Sequence, residues 1–383
     1  MLPSFAIPLA YHGVAAFILF KGIRCPAKWR NALLVPIILL LIFSLREAHH
    51  VDVFPGLGFH FGMLQVVTIL CSPIVLNSRV EKKRLRKATK NCNMWSDYRV
   101  YNNPRMLSCS TREPIRTGER APLWGILIQS LPRILIPLGL ELATTILAAL
   151  ILGSCEASDF SAEKATILRR LWGGSVSLHE LAVRFLVSFS WIGLSISRLT
   201  LFHTLLSIIF VAGLGFDTLE DWPPLFGSVL ESYTIQRFWG KTWHRLLSAS
   251  AVLWARACID FIVKTEACPR LRNFLVAFMV FTISGLAHAV VAKSLGETST
   301  ILDIWFFWVN SLAVTLEVLV LEVGKVALST LTRGTRFERN GWKTYLGLLV
   351  KPMGFMWVVL FFLWSVPRLM YPKIYSELNQ PAR

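Results

Sequence analysis

The residues best equipped for chemistry lie in two short interruptions of an otherwise greasy chain. The first reads Asp221-Trp222-Pro223-Pro224-Leu225-Phe226-Gly227, followed by Phe238-Trp239-Gly240-Lys241-Thr242-Trp243-His244-Arg245. Helical spacing predicts Trp239 and Trp243 one turn apart on one face, with Lys241 and His244 offset from it, so that aromatic anchors and a titratable ring share one short element. An interfacial belt of aromatics with basic neighbours would use the same residue types. The second interruption is Phe281-Thr282-Ile283-Ser284-Gly285-Leu286-Ala287-His288, inside an apolar run near 273–291. An imidazole there has little water around it, and an ionisable group within a membrane helix is by default a functional one. If neutral, it can accept a proton near neutral pH, which is the step that activating an alcohol requires. The competing reading is a histidine that only hydrogen-bonds a neighbouring helix. Ser284, one turn earlier on the same face, either orients the ring or bonds the backbone carbonyl at 280.

The elements that must position these residues follow from composition. Of 383 residues, 54% are hydrophobic and 16% charged, which excludes ordinary soluble domains. A spanning helix needs about 20 apolar residues. Stretches of that kind occur near 3–20, 31–45, 53–76, 134–152, 185–215, 246–262, 273–291, 301–323 and 345–366. The expectation is an all-α polytopic membrane protein with eight or nine transmembrane helices, since open sheets do not survive in lipid. Arg198 interrupts 185–215, which is one long helix or two pieces, and Arg256 and Asp260 mark 246–262 as a candidate re-entrant segment. The N-terminal stretch reads as an anchor, because it lacks a positive leading region and is followed by Lys21, Arg24, Lys28 and Arg30. The whole chain, 1–383, is expected to form a single membrane-embedded domain carrying a basic cytosolic loop at 77–121.

Lys and Arg number 40 against 23 Asp and Glu, a formal net charge of +17. In a bilayer protein this surplus belongs in loops facing the anionic cytosolic leaflet, so the lipid bilayer, and no nucleic acid, is the expected partner. The densest basic run, Arg79, Lys82, Lys83, Arg84, Arg86, Lys87 and Lys90, lies two crossings after Lys21–Arg30, and both therefore fall on one side. Arg333, Arg336, Arg339 and Lys343 reach that side only if one of the later apolar stretches does not cross.

Several chemistries are excluded by residue type and spacing. Seven cysteines form no CxxC pair, and eight histidines form neither HExxH nor repeated histidine boxes, so no metal site is expected. His49-His50 with Glu47 and Asp52 could bind a metal fortuitously, but a polar interhelical loop is the stronger reading. Gly213-Leu214-Gly215 lacks the third glycine and the strand of a dinucleotide fingerprint. Glu141, Asp303, Glu317 and Glu322, within or beside apolar stretches, would serve a proton path in a secondary transporter or pair with arginines such as Arg198 and Arg256. No repeated halves support the transporter.

WPPLFG, then FWGKTWH, then SGLAH about 40 residues further on, resembles the wax-synthase-like branch of the membrane-bound O-acyltransferases, particularly fungal members that acylate secondary metabolites. Asn103-Pro104-Arg105 is similar to a cytosolic Asn-Pro-Arg element of that family, although Met106-Leu107-Ser108 replaces its usual glycine-rich continuation, and Ala289 stands where relatives often carry an acid. The resemblance implies acyl transfer from acyl-CoA, here acetyl-CoA, to the hydroxyl of a small hydrophobic alcohol such as a terpenoid. No cofactor is held permanently. His288 would be the catalytic base and His244 a second catalytic group. Trp239, Trp243, Ser284, Arg237, Lys241, Arg245, Asn103 and Arg105 would contact substrates, with the endoplasmic reticulum as the membrane. A long-chain wax or sterol ester synthase, a secondary transporter and a catalytically silent scaffold are the alternatives.

Overall fold

A computed structural model describes residues 4–52, 56–77, 93–103, 123–153, 155–262, 269–332 and 342–379. Among these the regular structure is helical and no strand occurs. Each of the nine apolar stretches carries a helix. In chain order, with the short polar helix between the third and fourth of them, the main elements are α1 (Ala6–Gly22), α2 (Ala27–Arg46), α3 (Leu57–Asn77), α4 (Asn93–Tyr101), α5 (Leu123–Leu152), α6 (Leu178–Ile208), α7 (Ser248–Ile262), α8 (Pro269–Ser294), α9 (Ile301–Thr332) and α10 (Trp342–Leu378). Seven contain windows long and apolar enough to cross a membrane, whereas α1 has 17 residues and α7 has 15. The protein is an all-α polytopic membrane protein. The stretch interrupted by Arg198 is one continuous helix that ends in a π turn at Ile209–Gly213. A single arginine does not break it because Glu141 of α5 neutralises Arg198 at 3.1 Å. Several helices outrun the expected boundaries: α5 starts at Leu123 and passes through Pro132 and Pro137, α6 starts at Leu178, and α9 and α10 run on to Thr332 and Leu378. Prolines inside membrane helices are tolerated where neighbouring groups re-satisfy the freed carbonyls.

The chain divides into two compact units. The first comprises Met1–Arg120, Gly215–Asp221 and Arg245–Phe307. Its core is built from Ala15 and Leu19 of α1, Ile37 and Leu41 of α2, and Leu76 of α3, all essentially removed from solvent. Small residues set its helix spacing: a methyl on Gly62 of α3 would strike Val291 of α8 at 2.7 Å, so the glycine is what lets these helices meet. Buried polar groups are internally bonded. Ser44 donates to the carbonyl of Pro8 at 2.8 Å, and Gln65 bonds both His12 and its own helix at Phe61.

The second unit comprises Ala121–Leu214, Trp222–His244 and Trp308–Arg383. Here α6 lies along α10, with Ser188 donating to the Phe362 carbonyl at 3.3 Å. Arg184 is 1% exposed and reaches Glu180 at 3.4 Å, the carbonyl of Lys164 and the face of Tyr371. A buried guanidinium needs such a set of acceptors and a facing ring to offset its desolvation.

Candidate active site

His288 lies in the C-terminal third of α8 in the first unit, six residues before its end, and is half-buried. Its ring is flanked by Phe59 of α3 at 5.4 Å and Phe307 of α9 at 4.8 Å between centroids. Gly285, one turn earlier, brings Phe307 this close: a Cβ there would sit 3.0 Å from the Ile304 backbone and 3.3 Å from Phe307 Cβ. The imidazole is thus held by helix packing between two phenyl rings. Ser284 donates to the Val280 carbonyl at 3.0 Å, the backbone option of the two open to it. Asp303 of α9 is 3% exposed in the same unit.

His244 belongs to the second unit, and its surroundings are built differently. Thr234 caps the single helical turn Ile235–Arg237, which passes directly into a π turn at Phe238–Thr242, and the backbone is extended at Trp243. The expected regular helix is therefore absent. A hydrogen bond from Trp243 N–H to the Phe238 carbonyl at 2.7 Å spans five residues, widening the turn. Trp239 and Trp243 still meet edge to face at 5.3 Å, but through this turn and not through helical periodicity. Trp243 also stacks on Trp191 at 5.9 Å, and Phe226 presents its edge to both Trp243 and His244 at 5.6 Å.

What fixes this irregular segment was not legible as a motif. Glu317 of α9, 9% exposed, accepts the Ile235 N–H at 2.6 Å, the Gln236 N–H at 3.0 Å and the Trp357 indole N–H at 2.8 Å. A carboxylate at the first free amides of a helical turn satisfies donors that have no other partner. Glu317 is thus an anchor of the motif, and Glu141 pairs with Arg198. Trp239 donates from its indole to Asn310 at 2.8 Å, and Asn310 is fully buried. Gly227 donates to the Thr242 carbonyl at 2.9 Å, and any side chain there would collide with the carbonyl of Lys241. Ser232 and Thr242 complete the lock at 2.7 Å. A polar residue in an apolar stretch was the available signal for Glu317 and Asn310; their targets could not be read from it.

The basic candidates separate into two kinds. Lys241 and Arg245 are exposed. Arg237 is paired with Glu231 and lies over the Tyr233 ring at 4.4 Å. Asn103, just beyond α4, is half-buried; Arg105 lies outside the described residues. The α4 helix itself is pinned within the first unit by acids next to the WPPLFG motif. Arg99 meets Asp221 at 2.8 Å and Asp217 at 3.3 Å, and the Tyr98 hydroxyl donates to Asp217 at 2.6 Å. Burial and the Asp217 carboxylate push the Tyr98 phenol well above its usual range. Burial alone would raise the Asp221 carboxyl, but donation from Arg99 and Thr218 outweighs it and holds the group below the usual carboxylate range.

Residues 222–309 match the model of the membrane bound O-acyl transferase family, a segment that contains both histidine motifs. The match bears out the resemblance drawn from WPPLFG, FWGKTWH and SGLAH. Acetyltransferase aurG of Calcarisporium arbuscula is 27% identical over 231 residues, 59% of this chain and 52% of that protein. Acetyltransferase atnC of an Arthrinium species is 33% identical over 180 residues, 46% of this chain and 39% of the relative. O-Mevalon transferase macI of Penicillium terrestre is 38% identical over 90 residues, 21% of each chain. The matches therefore span about half of the first relative's length and less of the others. No solved structure matches the chain.

Proposed function

We propose that the protein is an O-acyltransferase that moves an acetyl group from acetyl-CoA to a hydroxyl of a terpenoid or related secondary metabolite, in the endoplasmic reticulum membrane. The observation that carries this reading is the half-buried imidazole of His288, set between Phe59 and Phe307 in the C-terminal third of α8 within the family-matched segment. A neutral ring in that setting takes the alcohol proton as the alcohol oxygen attacks the thioester carbonyl. The carbonyl carbon–sulfur bond then breaks, and coenzyme A leaves as a thiol once it recovers a proton. General-base assistance of this kind contributes about 10² to 10⁴-fold. His244 is proposed to donate to the acyl oxygen or to seat the donor, where a buried donor aimed at developing negative charge is worth roughly 3–4 kcal/mol. Trp239 and Trp243 would supply apolar contact for the substrates, and Asn103 and Arg105 polar contact. Among the basic candidates, exposed Lys241 and Arg245 support contact with the polyanionic coenzyme better than Arg237, which Glu231 already engages.

The acetyl donor is supported by relatives named as acetyltransferases, whereas the relative named O-Mevalon transferase supports a different acyl group. Microsomes containing the chain, supplied with acetyl-CoA or palmitoyl-CoA and a panel of hydroxylated terpenoids, decide between donors. Acetyl ester formation is expected. Turnover with palmitoyl-CoA and a fatty alcohol alone would make it a wax synthase, and vesicle transport without acyl-CoA consumption would make it a transporter.

A further inference from the structure

Apart from the two histidine motifs, three ligand-type side chains of the second unit converge on one point. Cys155 follows α5, Asp159 lies on the 3-10 turn Ala157–Phe160, and His179 is on the first turn of α6. Their ligand atoms all lie within 4.8 Å of one another. Cys155 Sγ is 3.8 Å from His179 Nε2, and the same nitrogen is 3.4 Å from Asp159 Oδ2. A proton relay places nucleophile and carboxylate on opposite ring nitrogens. One nitrogen facing both is the geometry of chelation. The separations also fit two edges of a tetrahedron: with Zn–S about 2.3 Å and Zn–N or Zn–O about 2.0 Å, sulfur and nitrogen stand roughly 3.5 Å apart and nitrogen and oxygen roughly 3.3 Å.

The surroundings hold these side chains in place. Phe160, beside Asp159, is 2% exposed and packs edge-on against Tyr371 of α10 at 5.3 Å, anchoring the turn. The Glu156 N–H donates to Asp159 Oδ2 at 3.1 Å, while Lys164 takes the other oxygen at 2.5 Å. Lys164 thereby orients the carboxylate with Oδ2 towards the thiol and ring, the outer-shell arrangement common at metal ligands. Ser177 caps α6 by accepting the Glu180 N–H at 3.2 Å, which sets the first turn and the direction of His179. Glu47, His49 and His50 also cluster, but on a single turn and without a sulfur ligand.

We propose that Cys155, Asp159 and His179 bind a borderline-soft divalent cation, Zn2+ foremost, tying the segment after α5 to the start of α6. Thiolate, imidazole and carboxylate suit that ion, and the two anionic ligands balance its charge. Binding releases the Cys155 thiol proton to solvent, and the remaining His179 proton sits on Nδ1. A fourth position is left for water or another donor.

The full chain, purified in detergent and stripped with a chelator, is offered Zn2+ or Co2+ alone. One metal per chain is expected by elemental analysis, together with a thiolate-to-Co2+ charge-transfer absorption. Cys155→Ser and His179→Gln should weaken binding by roughly tenfold or more, while the paired change His49→Gln and His50→Gln should leave it intact. Absence of the thiolate band in the wild-type chain overturns the site whether or not any variant folds. So does Zn2+ bound equally well by Cys155→Ser, which would mark it as adventitious, or lost from the His49 and His50 variant.

Discussion

The two histidine motifs are positioned by opposite means. SGLAH sits in the regular turns of α8, where a glycine notch and flanking phenyl rings place His288 and almost every backbone bond is intrahelical. FWGKTWH sits on a capped turn and a π turn, where the backbone must find partners outside a regular helix: Glu317, Thr234 and the Gly227–Thr242 contact supply them. Helix packing tolerates the loss of one contact because its hydrogen bonds are internal. An irregular segment depends on each external partner, since an unmet buried amide costs about 1–3 kcal/mol. Substitutions around His288 should therefore alter chemistry more than folding, and substitutions supporting His244 the reverse.

The largest expected effect is on turnover. His288→Ala should lower acyl transfer by about 10² to 10⁴-fold with near-normal expression and extraction, measured as ester formed per unit of purified protein. His244→Ala should lower it by a smaller but large factor. Wild-type rates in His288→Ala would remove the proposed base; wild-type rates in His244→Ala would leave that ring a packing residue. Next comes Gly227→Ala. Its methyl would meet the Lys241 carbonyl, so the motif must shift, at about 3 kcal/mol or more, seen as a lower midpoint in thermal melts. Gly285→Ala tests the other motif: the Ile304 and Phe307 contacts are tight but yielding, and overpacking of this kind costs about 1–3 kcal/mol. A larger loss at Gly285 than at Gly227 would reverse the contrast.

Glu317→Gln keeps the shape but points an amide NH2 at a backbone N–H, and should cost about 1–3 kcal/mol while leaving the environment of His288 unchanged. Acid offers a gentler probe of the first unit. Because the Asp221 carboxyl is held below its ordinary value of 3.8, its contribution is complete above that pH and fades as pH falls through the depressed folded value. Fluorescence of a probe near Tyr98 should therefore stay constant down to about pH 4 and change only below it; a transition at neutral pH would rule out this ion pair as the fastening of α4. The smallest effect is expected for Ser284→Ala, within about 0.5 kcal/mol in stability and a few-fold in rate. A hundredfold loss of rate with intact folding would show that the hydroxyl orients the His288 ring.

Much of the fold was readable because bilayer thickness leaves few options: nine apolar runs became nine helices, and the interruption at Arg198 persisted as one helix because Glu141 meets it. The family was readable in three motifs. The shape of FWGKTWH was not. Periodicity assumes a regular helix, whereas the π turn depends on Glu317 and Gly227, distant in sequence and invisible to a local window. The convergence of Cys155, Asp159 and His179 was equally hidden, because their spacing matches no ligand pattern.

The sequence by itself determined the helical membrane architecture and the residue types gathered in the two motifs, since both follow from local composition and the cost of exposing backbone to lipid. Only the tertiary structure decided which polar groups serve as supports. The acids Glu141 and Glu317 became an ion-pair partner and a backbone cap, and Ser284 a bond to its own helix. A buried polar side chain must take whatever partner the packing brings within reach, and that choice is made between segments far apart in the chain.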